Sequence, residues 1–254
     1  MQKPDSFLTN DIMIYMEHFL SGATKLGVEL NTQQLEQFQY YYHQLMEWNQ
    51  RINLTSITNY KEVQLKHFLD SLTVVLAFKK SVLNRDLSVI DIGSGAGFPG
   101  LPLKIAFPNV KLVLLEATRK KADFLTNLIQ NLNLNYVESL AGRAEEMAHQ
   151  SRYRQRFRIV LSRAVATLPT LAELTLPFCT IGGITVIQKK GYILSELKDS
   201  AKAIDLLGGS QPEIRKIKIP ELDDDRYLVT IDKLFATPAK YPRRPGIPIK
   251  RPVI

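Results

Sequence analysis

The sequence predicts an α/β fold: a seven-stranded, mostly parallel sheet with one antiparallel strand, preceded by an N-terminal helical extension over residues 1–80. Three observations carry this reading. From Leu87 onward, short apolar runs alternate with segments of helical periodicity, the signature of parallel strands joined by helices. A glycine-rich turn, Asp91-Ile92-Gly93-Ser94-Gly95-Ala96-Gly97, directly follows the first of those runs. The last two runs are separated by Asp223-Asp224-Asp225, which suits a hairpin and so inserts one strand against the direction of the others.

The elements follow in order. Residues 33–49 place Leu35, Phe38, Tyr41, Tyr42, Leu45, Met46 and Trp48 mostly three or four apart, one apolar helical face that reads as core. Residues 9–26 and 61–79 read as helices with less regular faces. Strands are expected at 88–92, 111–116, 136–140, 158–162, 183–188, 213–219 and 227–235. Helices are expected at 120–132, 168–178 and 194–206, so residues 81–237 form one domain. The tail, 238–254, holds Pro238, Pro242, Pro245, Pro248 and Pro252 with Lys240, Arg243, Arg244, Lys250 and Arg251 and no acid. Proline at that density predicts an extended tail lying on or beside the domain.

Composition narrows the function. With 45% hydrophobic and 23% charged residues, the 254-residue chain reads as globular. A single cysteine, Cys179, excludes an intramolecular disulfide and a cysteine-rich zinc site, and no metal is expected. No apolar run approaches the roughly 18 residues that span a bilayer. Asp5, Asp11 and Glu17 interrupt the start in a way no signal peptide would, so a cytoplasmic protein is expected. Residues 1–85 hold eight basic and eight acidic residues, so the whole net charge of +8 falls in 86–254. That asymmetry favours a polyanionic partner. Arg152, Arg154, Arg156 and Arg158 read as a patch facing such a partner or, nearly as well, as a solvated strand face.

The glycine turn by itself leaves two chemistries open. Gly95-Ala96-Gly97-Phe98-Pro99-Gly100 fits the dinucleotide string, although late relative to the strand. Asp91 argues the other way, since a carboxylate there would face a pyrophosphate. S-adenosylmethionine has no phosphate and carries an ammonium and a sulfonium, which an acid favours. Glu116, ending the second strand, is placed to accept both ribose hydroxyls. A turn cap for Asp91 and a solvated strand end for Glu116 are the plainer alternatives. After the third strand, Gly142-Arg143-Ala144-Glu145 would lie beside an adenine, or Glu145 would merely cap the next helix.

The acceptor is constrained by what is missing. The fourth strand runs into Ser162-Arg163-Ala164-Val165-Ala166, without the Asn/Asp-Pro-Pro-aromatic loop of amine methylation. Cys179, in Leu176-Pro177-Phe178-Cys179, reads as a buried, inert residue on a helical face and not as a nucleophile. No lysine-acid set for activating a hydroxyl is evident. An acceptor that needs no deprotonation remains, and guanine N7 is one. Aligned in-line displacement then needs no general base.

Five segments taken together resemble the bacterial 16S rRNA guanine-N7 methyltransferases of the GidB (glucose-inhibited division protein B) family. They are Trp48-Asn49-Gln50-Arg51-Ile52-Asn53-Leu54-Thr55, His67-Phe68-Leu69-Asp70-Ser71-Leu72, Asp91 to Gly100, Ser162 to Ala166, and Arg244-Pro245-Gly246-Ile247-Pro248. The resemblance runs from about residue 30 to the end. It implies a class I methyltransferase (Rossmann-like) fold, S-adenosyl-L-methionine as cofactor, and 16S rRNA or the small ribosomal subunit as partner of a cytoplasmic monomer. It further implies cofactor contacts from Gly93, Phe98, Glu116, Ala117, Thr118, Ala144, Glu145 and Arg163, beside Asp91, Gly95 and Gly97 of the turn. Arg163 would orient cofactor or guanine, with a structural salt bridge as the alternative. The expected RNA contacts are Lys240, Arg243, Arg244, Lys250 and Arg251. His67 and Asp70, three apart on a helix, could face the pocket, with a pair on the helix surface as the default.

Overall fold

A computed structural model describes residues 16–78, 83, 87–163, 166–191, 193–220, 222 and 224–254. The expected helical stretch before Met16, Ala164 and Val165 of the segment after the fourth strand, and Asp223 of the hairpin turn lie outside them. Seven strands form one sheet: β1 Ser88–Ile92, β2 Lys111–Glu116, β3 Val137–Ala141, β4 Phe157–Arg163, β5 Cys179–Lys190, β6 Glu213–Ile217 and β7 Arg226–Asp232. Their order is β3-β2-β1-β4-β5-β7-β6. The first five pair in parallel, and β7 runs antiparallel to both neighbours, as the hairpin signal predicted. Strand order reverses between β1 and β4, which opens a crevice at the strands' carboxyl ends.

Two helices open the described chain, α1 Glu17–Lys25 and α2 Thr32–Ile52. Asn31 and Gln34 form a reciprocal capping box at the start of α2, and Asn53 closes it in the left-handed conformation. The next helix, α3, is composite: an α turn Tyr60–Val63, a π turn Gln64–Leu69, a further α turn Asp70–Leu72 and a 3-10 end Thr73–Ala77. The helices after the strands are α4 Gly100–Ala106, α5 Arg119–Asn131, α6 Ala144–Met147, α7 Leu168–Thr175 and α8 Leu194–Leu206. Among the described residues, no helix is long and apolar enough to cross a membrane.

The helical extension shares its core with the sheet. Phe19, Leu35, Phe38, Tyr41 and Phe68 join Leu101, Leu114, Phe124 and Leu125 in one buried cluster. An aromatic run carries the contact to the glycine turn: Phe19 meets Phe38 at 4.8 Å, Phe38 meets Phe68 at 5.0 Å, and Tyr41 stacks on Phe98 at 5.4 Å. The sheet and its first helices are thus packed by the same side chains.

Two expectations are corrected. The helix expected over 168–178 ends at Thr175, because Pro177 has no N–H to donate, so Cys179 begins β5 instead of lying on a helix. Cys179 is buried, and burial pushes its thiol up to about 11, which leaves it protonated and inert. The tail is also not extended throughout. Ile247–Lys250 forms a helical turn, α9, with Pro248 in the first turn, where a missing N–H costs nothing.

Candidate active site

The glycine turn is held from three sides. Gly93 and Ser94 donate their N–H groups to the Leu115 carbonyl of β2, at 2.8 and 3.1 Å. The Gly95 N–H donates to Glu116 Oε2 at 2.9 Å, and the Thr118 N–H to Oε1 at 2.8 Å, so one carboxylate links the turn to the end of β2. The Tyr41 hydroxyl donates to the Ala96 carbonyl. Gly97 has φ +101°, and a Cβ there would stand 2.6 Å from both the Tyr41 hydroxyl and Leu101 Cδ1. Only glycine fits.

Asp91 is fully buried beneath this turn. Its Oδ2 accepts the Gly100 N–H at 2.9 Å, at the start of α4. Burial pushes its carboxyl up to about 7, against the lowering influences of the Gly100 N–H and the Arg163 charge. Oδ1 is buried without a hydrogen-bond partner. Asp91 therefore does cap the turn, with one oxygen left over.

Beside Gly93 lies an apolar slot of about 150 Å³, walled by Ile92, Leu115, Ala117, Ala144, Leu171 and Ile249, with Glu145 at its edge. Glu145 is 5% exposed, and its Oε1 accepts the Gly246 N–H at 2.9 Å, so the tail closes over this side.

A second cavity, of about 230 Å³, opens beside the end of β4. His67, Asp70, Arg163, Gln188, Lys190 and Arg226 line it, with Tyr227. His67 and Asp70 are 9% and 4% exposed and line this cavity, so the default helix-surface reading is overturned in favour of the pocket-facing one. His67 lies in the π turn of α3, and Asp70 directly follows it. Asp70 pairs with Arg163 at 3.3 Å and with Arg226 at 2.6 Å. The Arg163 guanidinium also lies 4.8 Å from the Phe98 ring centroid, and His67 stacks on that ring at 4.6 Å. His67 Nε2 meets Thr55 Oγ1 at 2.7 Å, while Nδ1 faces Arg163 Nη2 at 3.4 Å. Burial, then the Arg163 charge, pull the imidazole down to about 3, so it is neutral. Nδ1 accepts from Arg163, hence Nε2 carries the proton toward Thr55.

The residues read from the sequence as cofactor contacts therefore gather at the carboxyl ends of β1 to β4. The basic tail divides. Lys240, Arg244, Lys250 and Arg251 are exposed. Arg243 departs from its expected role: its Nε and Nη2 bind the fully buried Glu173 at 2.9 and 2.6 Å. A buried carboxylate requires such a partner. Arg154 likewise staples the tail, donating to the carbonyls of Thr237, Pro238 and Tyr241. No local pattern in the sequence marks Gln188 or Arg226, and Thr55 is marked only as the end of the Trp48–Thr55 segment. The available signal for Thr55 was Asn49, whose side chain binds Leu54, Thr55 N–H and Thr55 carbonyl at 2.7 to 2.9 Å and so shapes the loop between the motif's two asparagines and Thr55.

A sheet in this order, with a glycine turn after β1 and an acid ending β2, defines a class I methyltransferase. The family described as "GidB: rRNA small subunit methyltransferase G" matches residues 34–226, and this chain belongs to that family. It is 52% identical over 239 residues to a ribosomal RNA small subunit methyltransferase G of Dehalococcoides mccartyi, covering 94% of this chain and all of that one. Proteins of the same name from Lachnoclostridium phytofermentans and Alkaliphilus metalliredigens are 43% and 41% identical, over 93% and 91% of this chain and 96% of each relative.

Proposed function

We propose that this enzyme transfers a methyl group from S-adenosyl-L-methionine to N7 of a guanine in 16S ribosomal RNA, as a cytoplasmic monomer acting on the RNA or the small subunit. The observation that carries the reading is a pair of cavities at the carboxyl edge, one apolar and lined by Gly93 of the glycine turn, the other lined by Arg163 and basic side chains.

The residues present fit the cofactor. The apolar slot suits an adenine, with Ala117, Ala144 and Glu145 around it; Gly246 takes only one oxygen of Glu145. Each carboxylate oxygen has two lone pairs, so Glu116 can hold the turn and still accept ribose hydroxyls. The unpartnered Oδ1 of Asp91 supplies negative charge under Gly93, Gly95 and Gly97, where a cationic ligand is favoured. When bound, S-adenosyl-L-methionine supplies an electrophilic methyl carried by a sulfonium.

The chain's own groups then align and do not abstract. Guanine N7 has a free lone pair, so no base is needed, and the imidazole nearest the site has both nitrogens engaged. Arg163 is the residue that orients the reactants; Lys190 and Arg226 flank the acceptor cavity. Lys240, Arg244, Lys250 and Arg251 lie along the RNA phosphates. Incubating the protein with labelled S-adenosyl-L-methionine and 16S RNA lacking the modification tests this reading. Label recovered as 7-methylguanosine supports it, and label on another atom rejects it.

A further inference from the structure

We infer that Asp70 is a positioning residue for methyl transfer: from the helical extension, its carboxylate fixes Arg163 of β4 against Phe98 and ties Arg226 of β7 to the same point. The inference rests on the proposed reaction for its kinetic consequences and on geometry for its physical content.

Three strands converge on one turn of α3. Asp70 Oδ2 meets Arg163 Nη1 at 3.3 Å, and Oδ1 meets Arg226 Nη1 at 2.6 Å. Gln188 Nε2, from β5, donates to the Asp70 carbonyl at 2.5 Å and to Thr73 Oγ1 at 2.8 Å, which anchors the turn itself. Arg226 has a second carboxylate, Asp224, on its Nε at 2.7 Å.

Charge neutralisation alone would need only a nearby carboxylate. The Arg163 guanidinium has more: Asp70 at one nitrogen, the neutral Nδ1 of His67 at another, and the Phe98 ring along its face. Contacts on separate sides determine its plane and remove its rotational freedom. His67 is itself held by the Thr55 hydroxyl, whose oxygen also accepts the Ile57 N–H at 3.0 Å. The chain Thr55–His67–Arg163–Asp70–Arg226 therefore joins two motifs of the helical extension to the ends of two strands. Alignment of this kind matters most in a reaction without an acid or base, where a displacement near 1 Å costs about 100-fold in rate.

The test uses the full chain with Asp70→Asn, Asp70→Glu, Arg163→Lys and the Asp70→Asn/Arg163→Lys pair. Asp70→Glu retains the charge and moves it by one methylene, so it separates placement from neutralisation. The expected result is a kcat at least about tenfold lower in both Asp70 variants. S-adenosyl-L-methionine affinity by calorimetry should stay within about threefold, and KM for RNA should not rise, since Asp70→Asn adds net positive charge beside a polyanion. The double variant should be no slower than about threefold below Arg163→Lys alone, because both changes act through one group. Nitrogen-15 spectra of the free protein give a readout independent of activity: separate, slowly exchanging Nη signals for Arg163, assigned by their absence in Arg163→Lys, that coalesce in Asp70→Asn.

Wild-type kcat in Asp70→Glu, multiplicative losses in the double variant, or freely rotating Arg163 in the wild type would each overturn the inference. A wild-type protein that transfers no methyl to RNA would instead overturn the proposed function, and the Arg163 spectrum would then decide the clamp alone. Should Asp70→Asn fail to fold, Asp70→Glu and the wild-type spectrum carry the same decision.

Discussion

The two cavities are built on different principles. The glycine-turn side is made of backbone: N–H groups of Gly93, Ser94, Gly95 and Thr118 are tied down by a carbonyl and one carboxylate within two adjacent strand ends. The acceptor side is made of side chains delivered from Thr55, His67, Asp70, Arg163, Gln188 and Arg226. Backbone cradles depend on φ and on the space a Cβ would fill, so they fail abruptly. Side-chain networks depend on placement, so they degrade by degrees. The charge balance sharpens the contrast: the neutral extension supplies Thr55, His67 and Asp70 to the site, whereas Arg243 of the basic tail is bound to Glu173.

Substitutions on each side test this difference. The largest effect is expected for Gly97→Val, which places a branched carbon against Tyr41 and Leu101 at φ +101°. Cofactor affinity should fall by more than about 100-fold in calorimetry. Arg243→Ala leaves the buried Glu173 carboxylate without its cation, with only the backbone N–H of residue 243 on it, and chemical denaturation should show a loss of about 3–5 kcal/mol, with little change in cofactor affinity if the protein is held folded. On the acceptor side, Arg163→Lys should lower kcat about 10- to 100-fold while cofactor affinity changes by less than about threefold. If Arg163→Lys abolished cofactor binding as Gly97→Val does, the division between the two cavities would be wrong.

Titration should separate the sides as well. Asp91 has its carboxyl raised to about 7, so its ionised form is lost as pH falls through that value. Affinity for a cationic cofactor should therefore decline from pH 8 to pH 6, and Asp91→Asn should flatten the profile. In the unliganded protein the sign is opposite. The neutral carboxyl suits its buried site, so its stabilisation is full below the ordinary range near 3.8 and is lost as pH climbs through about 7. His67, held down to about 3, contributes stability above its ordinary 6.5 that is lost as pH falls toward 3. The smallest effect is expected for Arg244→Glu. RNA affinity should drop about tenfold, with a shallower salt dependence, and cofactor binding should be unchanged.

The parts legible in the sequence were those encoded locally. Alternating runs gave the strand positions, Asp223-Asp224-Asp225 gave the hairpin, and the glycines with Asp91 and Glu116 gave the turn. The acceptor side resisted because its members lie on α3, β4, β5 and β7, far apart in sequence. His67 and Asp70 looked like a surface pair because three-residue spacing is read on an ordinary helix; the π turn at Gln64–Leu69 was not encoded in the periodicity. The tail shows the opposite error. Its basic residues were read as one group, yet a buried acid on α7 captures Arg243, and no local pattern marks Glu173 as buried.

The central claim is tested most directly by mass spectrometry of 16S RNA digests from cells lacking this gene and from the same RNA after incubation with the pure protein and S-adenosyl-L-methionine. The account predicts one 7-methylguanosine missing from the deletion RNA and restored by the wild-type protein. Unchanged 7-methylguanosine in the deletion RNA, or a restored methyl on any other atom, would contradict it.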